Sequence, residues 1–379
     1  MSTIAKAYVG ARIHDGTYFH DDDALVVNVD GSRCIMARRN LPDDCPLETL
    51  PGGFIMPGFV DLQINGGGGV MFNDNQSVNA LRTIAEAHAS IGSAVIVPTL
   101  ITDTPERTKA AISAVERAIA EGVAGIAGIH LEGPHLSVAR KGAHDPSLIR
   151  PMGDDDLAVV LSAAERLPNV MMTVAPENAT YAQIRAMSDA GVIVSLGHTD
   201  ADFETCMAAF DAGARCVTHL FNAMSQLGNR EPGLVGAALA RDDIFAGLIA
   251  DGVHVHPATI RIALAAAKNN ERIMLVTDAM ATAGSQIGGF VLNGRRVIRK
   301  DQRLTLENGT LAGADLEMMQ AISTMVNAVG DQTTQAIRRA TGTPLSLLRG
   351  FDDKSPLLDP TLFVNHLSDD LSVITKLCS

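Results

Sequence analysis

The sequence has no tryptophan and only three tyrosines among its 379 residues. It therefore offers few aromatic side chains that could stack on nucleic-acid bases. It also lacks an excess of positive charge, since 30 Lys and Arg against 43 Asp and Glu give a formal net charge of −13. This balance argues against nucleic-acid binding and against a polybasic membrane surface, although a few local cations can still bind a small anion.

Cysteine pairs with metal-binding or redox spacing are missing. The five cysteines lie at positions 34, 45, 206, 216 and 378, an odd number with no CxxC pair. This usage predicts a reduced, cytoplasmic protein with small unpaired thiols. The start of the chain has no basic segment followed by an apolar one, and no apolar run is long enough to span a membrane. We therefore expect neither a signal peptide nor membrane insertion.

No GxGxxG or GxxxxGK[ST] phosphate loop occurs, and the four glycines at 66–69 lack that spacing.

After residue 54 the sequence shows a regular alternation of apolar runs with alanine-rich stretches. Eight runs predict strands at 59–64, 93–98, 125–131, 170–175, 192–196, 216–220, 244–249 and 272–277. Most of the stretches between them predict helices, at 78–91, 105–121, 154–167, 181–190, 202–212 and 257–269, whereas the sixth connection, at 233–240, is short.

Eight strand–helix units over about 220 residues favour a (β/α)8 TIM-like barrel in the α/β class. A doubly wound open sheet is the alternative. The length of the chain leaves room for one large domain and a small one. Residues 57–349 are predicted to form the barrel, and residues 1–56 with 350–379 a small β-sandwich domain built from both chain ends.

The small domain is predicted from short strands separated by turns. These are expected at 5–13, 24–29 and 34–37, and again at 361–364 and 371–374. Between the barrel and the last strands, Asn293-Gly294 lies between two apolar runs at 290–292 and 296–298, which predicts a β-hairpin. Helices are expected at 316–329 and 333–341.

Four chemically active side chains lie at the ends of predicted strands. Glu132 ends the third strand, and the other three end the fifth, sixth and eighth strands: His198, His219 and Asp278. The carboxyl ends of parallel strands meet at one mouth of a barrel, so these residues should converge. Two histidines and one glutamate form a metal set that leaves a position for water, and a nearby aspartate can take a proton from that water.

Each of these residues also has a purely structural interpretation. A lone glutamate after a strand is most often a salt-bridged loop acid, and a lone histidine there is most often a hydrogen-bonded core residue. The coincidence of four such residues favours a site. His88, His256 and His366 are interpreted as structural, and His254 is left open because it lies near the mouth without having to bind metal.

Ordered motifs across the chain resemble those of the N-acetylglucosamine-6-phosphate deacetylase family in the amidohydrolase superfamily. They run from about residue 50 to 345 and comprise PGFVDLQING at 57–66, HLEGP at 130–134, KGAH at 141–144, SLGHT at 195–199, THLFNAM at 218–224, REPG at 230–233, DGVH at 251–254, TD at 277–278 and LAG at 311–313. The resemblance implies the hydrolysis of a phosphorylated amino sugar to D-glucosamine 6-phosphate and acetate, in amino-sugar catabolism and cell-wall recycling.

The resemblance also implies a role for each residue. Glu132, His198 and His219 would hold the metal, Asp278 would act as general base and then as acid, and His144 would help to stabilise the oxyanion. The implied sugar contacts are Ala143, Asn222, Ala223, Leu311, Ala312 and Gly313. Arg230 and His254 would hold the 6-phosphate, with Arg230 reaching its own site or that of a neighbouring subunit in a homodimer. A surface ion pair with Glu231 or another acid is the alternative for Arg230.

The sequence departs from many amidohydrolases at the first barrel strand. Those enzymes carry His-x-His there, which helps to bind a second metal, whereas this chain has Gln63-Ile64-Asn65. Neutral amides are poor ligands for Zn²⁺, so we expect one divalent ion per subunit. Zn²⁺ is favoured, and the ligand set leaves Fe²⁺, Co²⁺ and Mn²⁺ open.

Two other functions remain open at this stage. One is a different amidohydrolase activity, on a cyclic amide or another N-acyl sugar. The other is a barrel that binds a sugar phosphate without catalysis. The sequence does not distinguish the gluco epimer of the sugar from the galacto epimer.

Overall fold

An eight-stranded parallel sheet forms the centre of the computed structural model, which describes residues 4–351 and 355–378. Its strands are β1 Phe59–Ile64, β2 Ser93–Ile101, β3 Ile129–Glu132, β4 Val170–Val174, β5 Ile193–Leu196, β6 Cys216–Val217, β7 Phe245–Leu248 and β8 Ile273–Leu275. Each strand pairs in parallel with the next one along the chain. The predicted barrel, rather than a doubly wound sheet, is confirmed.

The seam between the first and last strands closes through a few specific contacts. Ile64 and Ala279 form a parallel bridge, and the Asn65 N–H donates to the Ala279 carbonyl at 2.7 Å. The buried Asp61 carboxylate on β1 accepts hydrogen bonds from the backbone N–H and the hydroxyl of Thr277. These contacts hold the ends of β1 and β8 together, next to Asp278.

Seven helices cover the barrel: α1 Val78–Ser90, α2 Pro105–Ala120, α3 Asp154–Arg166, α4 Tyr181–Asp189, α5 Phe203–Asp211, α6 Gly233–Ala240 and α7 Pro257–Ala266. The six predicted helices agree with their predictions to within a few residues, because local side chains set where they begin, and the short connection at 233–240 is also helical. The Thr104 hydroxyl accepts from the Arg107 N–H ahead of Pro105, and Thr180 forms a capping box with Gln183. Within the described residues, no helix is long and apolar enough to cross a membrane.

Further helices follow β8 in the chain and pack against the barrel. They are α8 Met318–Thr324, α9 Thr333–Ala340 and α10 Gly342–Leu345. The predicted helix at 316–329 ends in a π-helical turn, Met325–Val329, and single 3₁₀ turns occur at Arg38–Asn40, Val138–Arg140 and Asn270–Arg272. A two-stranded ribbon of Gly66–Gly67 and Val70–Met71 follows β1.

Two further sheets lie outside the barrel, and the second of them combines strands from both chain ends. One contains Arg33–Ala37, Asp23–Asn28, Ile4–Val9 and Leu47–Thr49, and the other contains Ile374–Cys378, Val364–Leu367, Phe54–Pro57, Arg12–His14 and Phe19–His20. Tyr8 and Leu25 of the first sheet share a buried cluster with Ile13, Ile55 and Val364 of the second. The predicted sandwich of N- and C-terminal strands is therefore confirmed, while the domain boundaries at 56/57 and 349/350 remain predictions.

Several predicted strands are shorter or shifted. The run at 5–13 is two strands, because Gly10 (φ +89°) lies so close to the Leu50 carbonyl that a Cβ would come within 2.5 Å of it. The runs at 361–364 and 371–374 are displaced to Val364–Leu367 and Ile374–Cys378. Asp359 and Asp370 accept hydrogen bonds from Thr361 and Ser372, which hold the intervening residues in turns.

The predicted hairpin belongs to a three-stranded antiparallel sheet of Gly289–Leu292, Arg295–Lys300 and Arg303–Leu306, which we call the cover sheet. Asn293 (φ +49°) and Gly294 (φ +75°) both adopt the left-handed conformation that a two-residue hairpin turn requires. Leu292 and Leu304 pack against Ile101 and Met280. Because Ile101 ends β2 and Met280 follows β8, the cover sheet lies at the carboxyl mouth of the barrel.

Candidate active site

Four strand-end side chains converge at this mouth, as predicted. Glu132 is the last residue of β3, whereas His198, His219 and Asp278 lie two or three residues beyond β5, β6 and β8. These three residues have positive φ values of 49°, 31° and 50°. L-residues seldom adopt that conformation, and it is often found where function constrains the backbone. It also explains why the predicted run at 216–220 is a strand only over Cys216–Val217.

Three of these side chains form a compact, buried set. Glu132 Oε1 lies 3.2 Å from His198 Nε2 and 3.1 Å from His219 Nε2, and the two nitrogens lie 3.1 Å apart. All three residues are at most 4% exposed. Within the described residues they are the one group of at least three acidic, histidine or cysteine side chains close enough to share a metal ion.

The chemistry of this set fits a divalent cation. His198 Nδ1 lies 2.8 Å from the Arg140 carbonyl, to which it can only donate, so in the neutral ring its Nε2 presents a lone pair to the centre. His219 Nε2 and a carboxylate oxygen face the same point. Although burial opposes ionisation, the two histidines hold the Glu132 pKa well below its usual range. Three electron-pair donors around one point are the arrangement that a metal ion stabilises.

Asp278 lies beside this set, held by two side-chain amides from β1 and its carboxyl end. Its Oδ1 accepts from Asn65 Nδ2 at 2.7 Å and from Gln63 Nε2 at 3.3 Å, and Gln63 also donates to Glu132. Burial, together with the charge of Glu132, raises the Asp278 pKa to about 6. Many amidohydrolases bind a second metal through His-x-His on the first barrel strand. At the equivalent position in this chain, Gln63 and Asn65 instead donate hydrogen bonds to Asp278.

His144 reaches the same mouth from the loop after β3. Its Nδ1 lies 2.7 Å from the Thr102 hydroxyl, and its ring meets the His198 ring edge-on with 4.4 Å between centroids. Burial, together with His198, lowers the His144 pKa to about 3, so the ring is neutral. If Thr102 donates to Nδ1, the ring proton lies on Nε2, where it can be donated to a ligand.

A cavity of about 250 Å³ joins the metal set, Asp278 and His144. Most of the predicted sugar and phosphate contacts line it: Ala143, Asn222, Ala223, His254, Leu311 and Gly313. His254 Nδ1 lies 2.6 Å from Asp251 Oδ2, so Asp251 orients the ring. Ala312 is fully buried behind this wall and does not line the cavity.

Arg230 lies outside the cavity that the other predicted site residues share. It is exposed in the loop before α6 and does not line the cavity. The alternative ion pair with Glu231 is also not formed, because the Glu231 carboxylate instead accepts from the backbone N–H groups of Phe203 and Gly233. His88 and His366 contact backbone carbonyls and His256 caps α7, which agrees with their structural interpretation.

Sequence motifs did not indicate several residues that shape the site. Thr102 contacts His144, and the Arg140 carbonyl orients His198. Arg295 of the cover sheet donates to the Ala143 carbonyl, while Leu292 forms part of the cavity wall. These contacts join segments far apart in sequence. Only the Asp251–His254 pair, three residues apart in one short motif, could have been found from spacing.

A buried Glu-His-His set beside a hydrogen-bonded carboxylate, at the carboxyl mouth of a barrel, is typical of metal-dependent hydrolases. The amidohydrolase family model matches residues 54–351, and the chain belongs to that family.

Similar proteins carry more specific names. The chain is 42% identical over 308 residues to an N-acetylgalactosamine-6-phosphate deacetylase of Shewanella sp. (strain ANA-3), covering 81% of this chain and 77% of the relative. It is 34% identical over 336 residues to the N-acetylglucosamine-6-phosphate deacetylase of Haemophilus influenzae, covering 88% and 87%. The crystal structure of the N-acetylglucosamine-6-phosphate deacetylase from Pasteurella multocida superposes with a TM-score of 0.90, at 31% identity and with 98% of each chain covered.

Proposed function

We propose that this protein hydrolyses N-acetyl-D-glucosamine 6-phosphate to D-glucosamine 6-phosphate and acetate. The observation that carries the proposal is the position of Asp278, whose carboxylate lies beside the Glu132–His198–His219 set in one cavity. The names of the relatives support the choice of substrate. The pathway context is amino-sugar catabolism and cell-wall recycling in the cytoplasm.

The metal set would hold one divalent ion, with Zn²⁺ favoured over Fe²⁺, Co²⁺ or Mn²⁺. When bound, such an ion supplies Lewis acidity and lowers the pKa of a water molecule. Glu132, His198 and His219 provide the ligand atoms, and both histidines must be neutral to do so. The Arg140 carbonyl fixes the tautomer of His198.

Asp278 moves the proton in this mechanism. Its Oδ1 is occupied by Asn65 and Gln63, whereas its Oδ2 has no hydrogen-bond partner among the described residues. Oδ2 can therefore accept a proton from the attacking water and later donate it to the departing amide nitrogen. A carboxyl group with a raised pKa can perform both steps near neutral pH.

His144 and the cavity wall position the acetyl group and the sugar. The Nε2 proton of neutral His144 would be donated to the carbonyl oxygen as negative charge develops on it. Backbone groups of Ala143, Asn222, Ala223 and residues 311–313 would contact the sugar. His254, oriented by Asp251, would contact the 6-phosphate together with Arg230.

The decisive experiment measures acetate release by metal-loaded protein from N-acetylglucosamine 6-phosphate and from N-acetylglucosamine. Turnover that requires the phosphate supports the proposal. Equal turnover of the phosphorylated and unphosphorylated sugars would show that the assignment of a phosphate-binding site is wrong. If neither sugar is hydrolysed, the proposal is wrong. The function would then be hydrolysis of another amide, or binding of a sugar phosphate without catalysis.

N-acetylgalactosamine 6-phosphate is the second candidate substrate. It is favoured by the 42% identity to a relative named for that activity, compared with 34% for the Haemophilus enzyme. The two sugars differ only at one hydroxyl, so the same assay with both epimers decides between them. A kcat/KM at least tenfold higher for the galacto epimer would replace the gluco assignment.

The position of Arg230 on an exposed loop, outside the cavity of its own chain, motivates a specific prediction about the homodimer. We expect Arg230→Ala to raise KM for the phosphorylated sugar, because Arg230 would bind the phosphate in the partner's cavity. The exposed Arg39→Ala serves as the matched control. An unchanged KM in Arg230→Ala would show that the phosphate assignment is wrong.

Co-expression tests whether Arg230 acts in the partner's site. Arg230→Ala and Asp278→Asn chains are produced together in equal amounts. In a mixed dimer, one cavity would combine an intact Asp278 with an intact Arg230 from the other chain. About a quarter of the sites should then be active, since half of the dimers are mixed. No recovery beyond the sum of the parent activities would mean that Arg230 does not act across the interface.

A further inference from the structure

A second cavity, of about 410 Å³, lies at the opposite end of the barrel, and we call it the floor cavity. Arg215 directly precedes β6, Phe245 begins β7 and Arg272 directly precedes β8. The carboxyl ends of β6 and β8 lead to His219 and Asp278, so a barrel strand separates the floor cavity from the active site. Thr17 of the β-sandwich and Arg338 of α9 complete its walls.

The floor cavity has an excess of positive charge. Arg338 is paired with Glu271 at 3.2 Å, the one carboxylate among the lining residues. Arg215 donates to the Leu347 carbonyl at 3.1 Å, and Arg272 packs over the Phe245 ring at 4.6 Å. Among the residues that the structure describes, neither Arg215 nor Arg272 has a carboxylate within 4.0 Å.

Burial, together with the positive charges of Arg349 and Arg272, lowers the pKa of Arg215. The cations therefore repel each other in a chain whose overall charge is −13. The energetic cost of such a cluster is relieved when an anion binds between the guanidinium groups. The Thr17 hydroxyl supplies a further donor in the cavity wall.

We propose that the floor cavity binds the phosphate group of a small phosphorylated metabolite. Guanidinium groups match phosphate oxygens with paired hydrogen bonds, and two of them are available here. The volume lies within the range of about 300–1,000 Å³ that is common for small-molecule sites and exceeds the need of a phosphate ion alone. This site is separate from the deacetylation proposed above and does not depend on it.

A ligand in the floor cavity would join three parts of the chain. The turn around Thr17 belongs to the β-sandwich, Arg215 and Arg272 to the barrel, and Arg338 to the helices after β8. Bound phosphate should therefore stabilise the contact between the sandwich and the barrel. We expect the melting temperature to rise with ligand concentration, since the ligand binds only the folded chain.

The test uses calorimetric titration of the metal-loaded protein with inorganic phosphate and with glucose 6-phosphate, which has no amide to hydrolyse. Three proteins are compared: wild type, Arg215→Gln/Arg272→Gln and the exposed control Arg39→Gln. The double variant should bind one fewer ligand per chain than the other two, while its kcat/KM for acetate release stays unchanged. Tighter binding of glucose 6-phosphate than of phosphate would identify an organic phosphate as the ligand.

Equal stoichiometry in wild type and the double variant would overturn the proposal, as would an affinity for glucose 6-phosphate no higher than that for inorganic phosphate. If the double variant fails to fold, Arg272→Gln replaces it, because the Arg272 guanidinium makes one long hydrogen bond within the described residues, to the Asp243 carbonyl at 3.4 Å. This single variant should weaken binding about tenfold, the loss expected for one charge-assisted contact. Unchanged affinity in Arg272→Gln would contradict the site.

Discussion

Among single residues, Asp278 is half-buried and has two amide donors on one of its oxygens. An asparagine at this position keeps that oxygen, so the contacts with Asn65 and Gln63 survive while proton transfer does not. We therefore predict that Asp278→Asn retains its metal content and melting temperature and loses about 10²–10⁴ in kcat. Acetate release and metal analysis on the same samples measure this.

The control for this prediction is Asp242→Asn, which removes an exposed acid whose carboxylate pairs with Lys268 at 3.2 Å. It should have native kcat. Near-native turnover of metal-loaded Asp278→Asn would show that another group transfers the proton.

At the scale of elements, the cover sheet contributes to the site through one long-range hydrogen bond. Arg295 donates to the carbonyl of Ala143, the residue before His144, while Leu292 of the same hairpin lines the cavity. We predict that Arg295→Gln raises KM about tenfold, because a charge-assisted hydrogen bond contributes about 1.5–3 kcal/mol. Metal content should be unchanged, since no metal ligand is touched.

Arg296 supplies the matched control for this change. It is the next residue on the same strand, points to the other face and is exposed. Arg296→Gln should therefore leave KM at the wild-type value. A similar rise in KM for both variants would attribute the effect to lost charge rather than to the contact with Ala143.

At the scale of the whole molecule, burial of neutral histidines makes folding depend on pH. His14, His88 and His130 are buried, and burial lowers each pKa from 6.5 to about 4. Between these values the unfolded chain binds protons that the folded chain does not, so stability falls as the pH falls from 6.5 towards 4. Asp61 has the opposite effect, because burial raises its pKa to about 7.

His88→Gln tests this pH dependence, since glutamine can still donate to the Gly66 carbonyl that His88 contacts. The stability advantage of wild type over His88→Gln should shrink by about 3 kcal/mol between pH 7 and pH 4. Urea denaturation of the metal-free proteins at both pH values measures it, with the exposed His256→Gln as control. An advantage that is the same at pH 4 and pH 7 would mean that burial does not suppress protonation of His88.

The barrel and the convergence of the candidate site residues could be predicted from local sequence patterns alone. Alternating apolar runs and helix caps are local features, and residues at or just beyond the carboxyl ends of parallel strands must meet at one mouth. Glu132, His198, His219 and Asp278 occupy such positions. The Asn293-Gly294 turn was likewise predictable, because a two-residue hairpin needs positive φ at both positions.

The contacts between distant segments could be seen only in the folded chain. The third predicted strand begins at Ile129 rather than at residue 125, because Gly125 and Gly128 have positive φ values of 86° and 159°. The hydrogen bond of His144 with Thr102 and that of Arg295 with the Ala143 carbonyl join residues separated by 42 and 152 positions. Hydrophobic periodicity carries no information about which distant residues come into contact. The arginines of the floor cavity were not predicted for the same reason, because they come together only when the barrel closes.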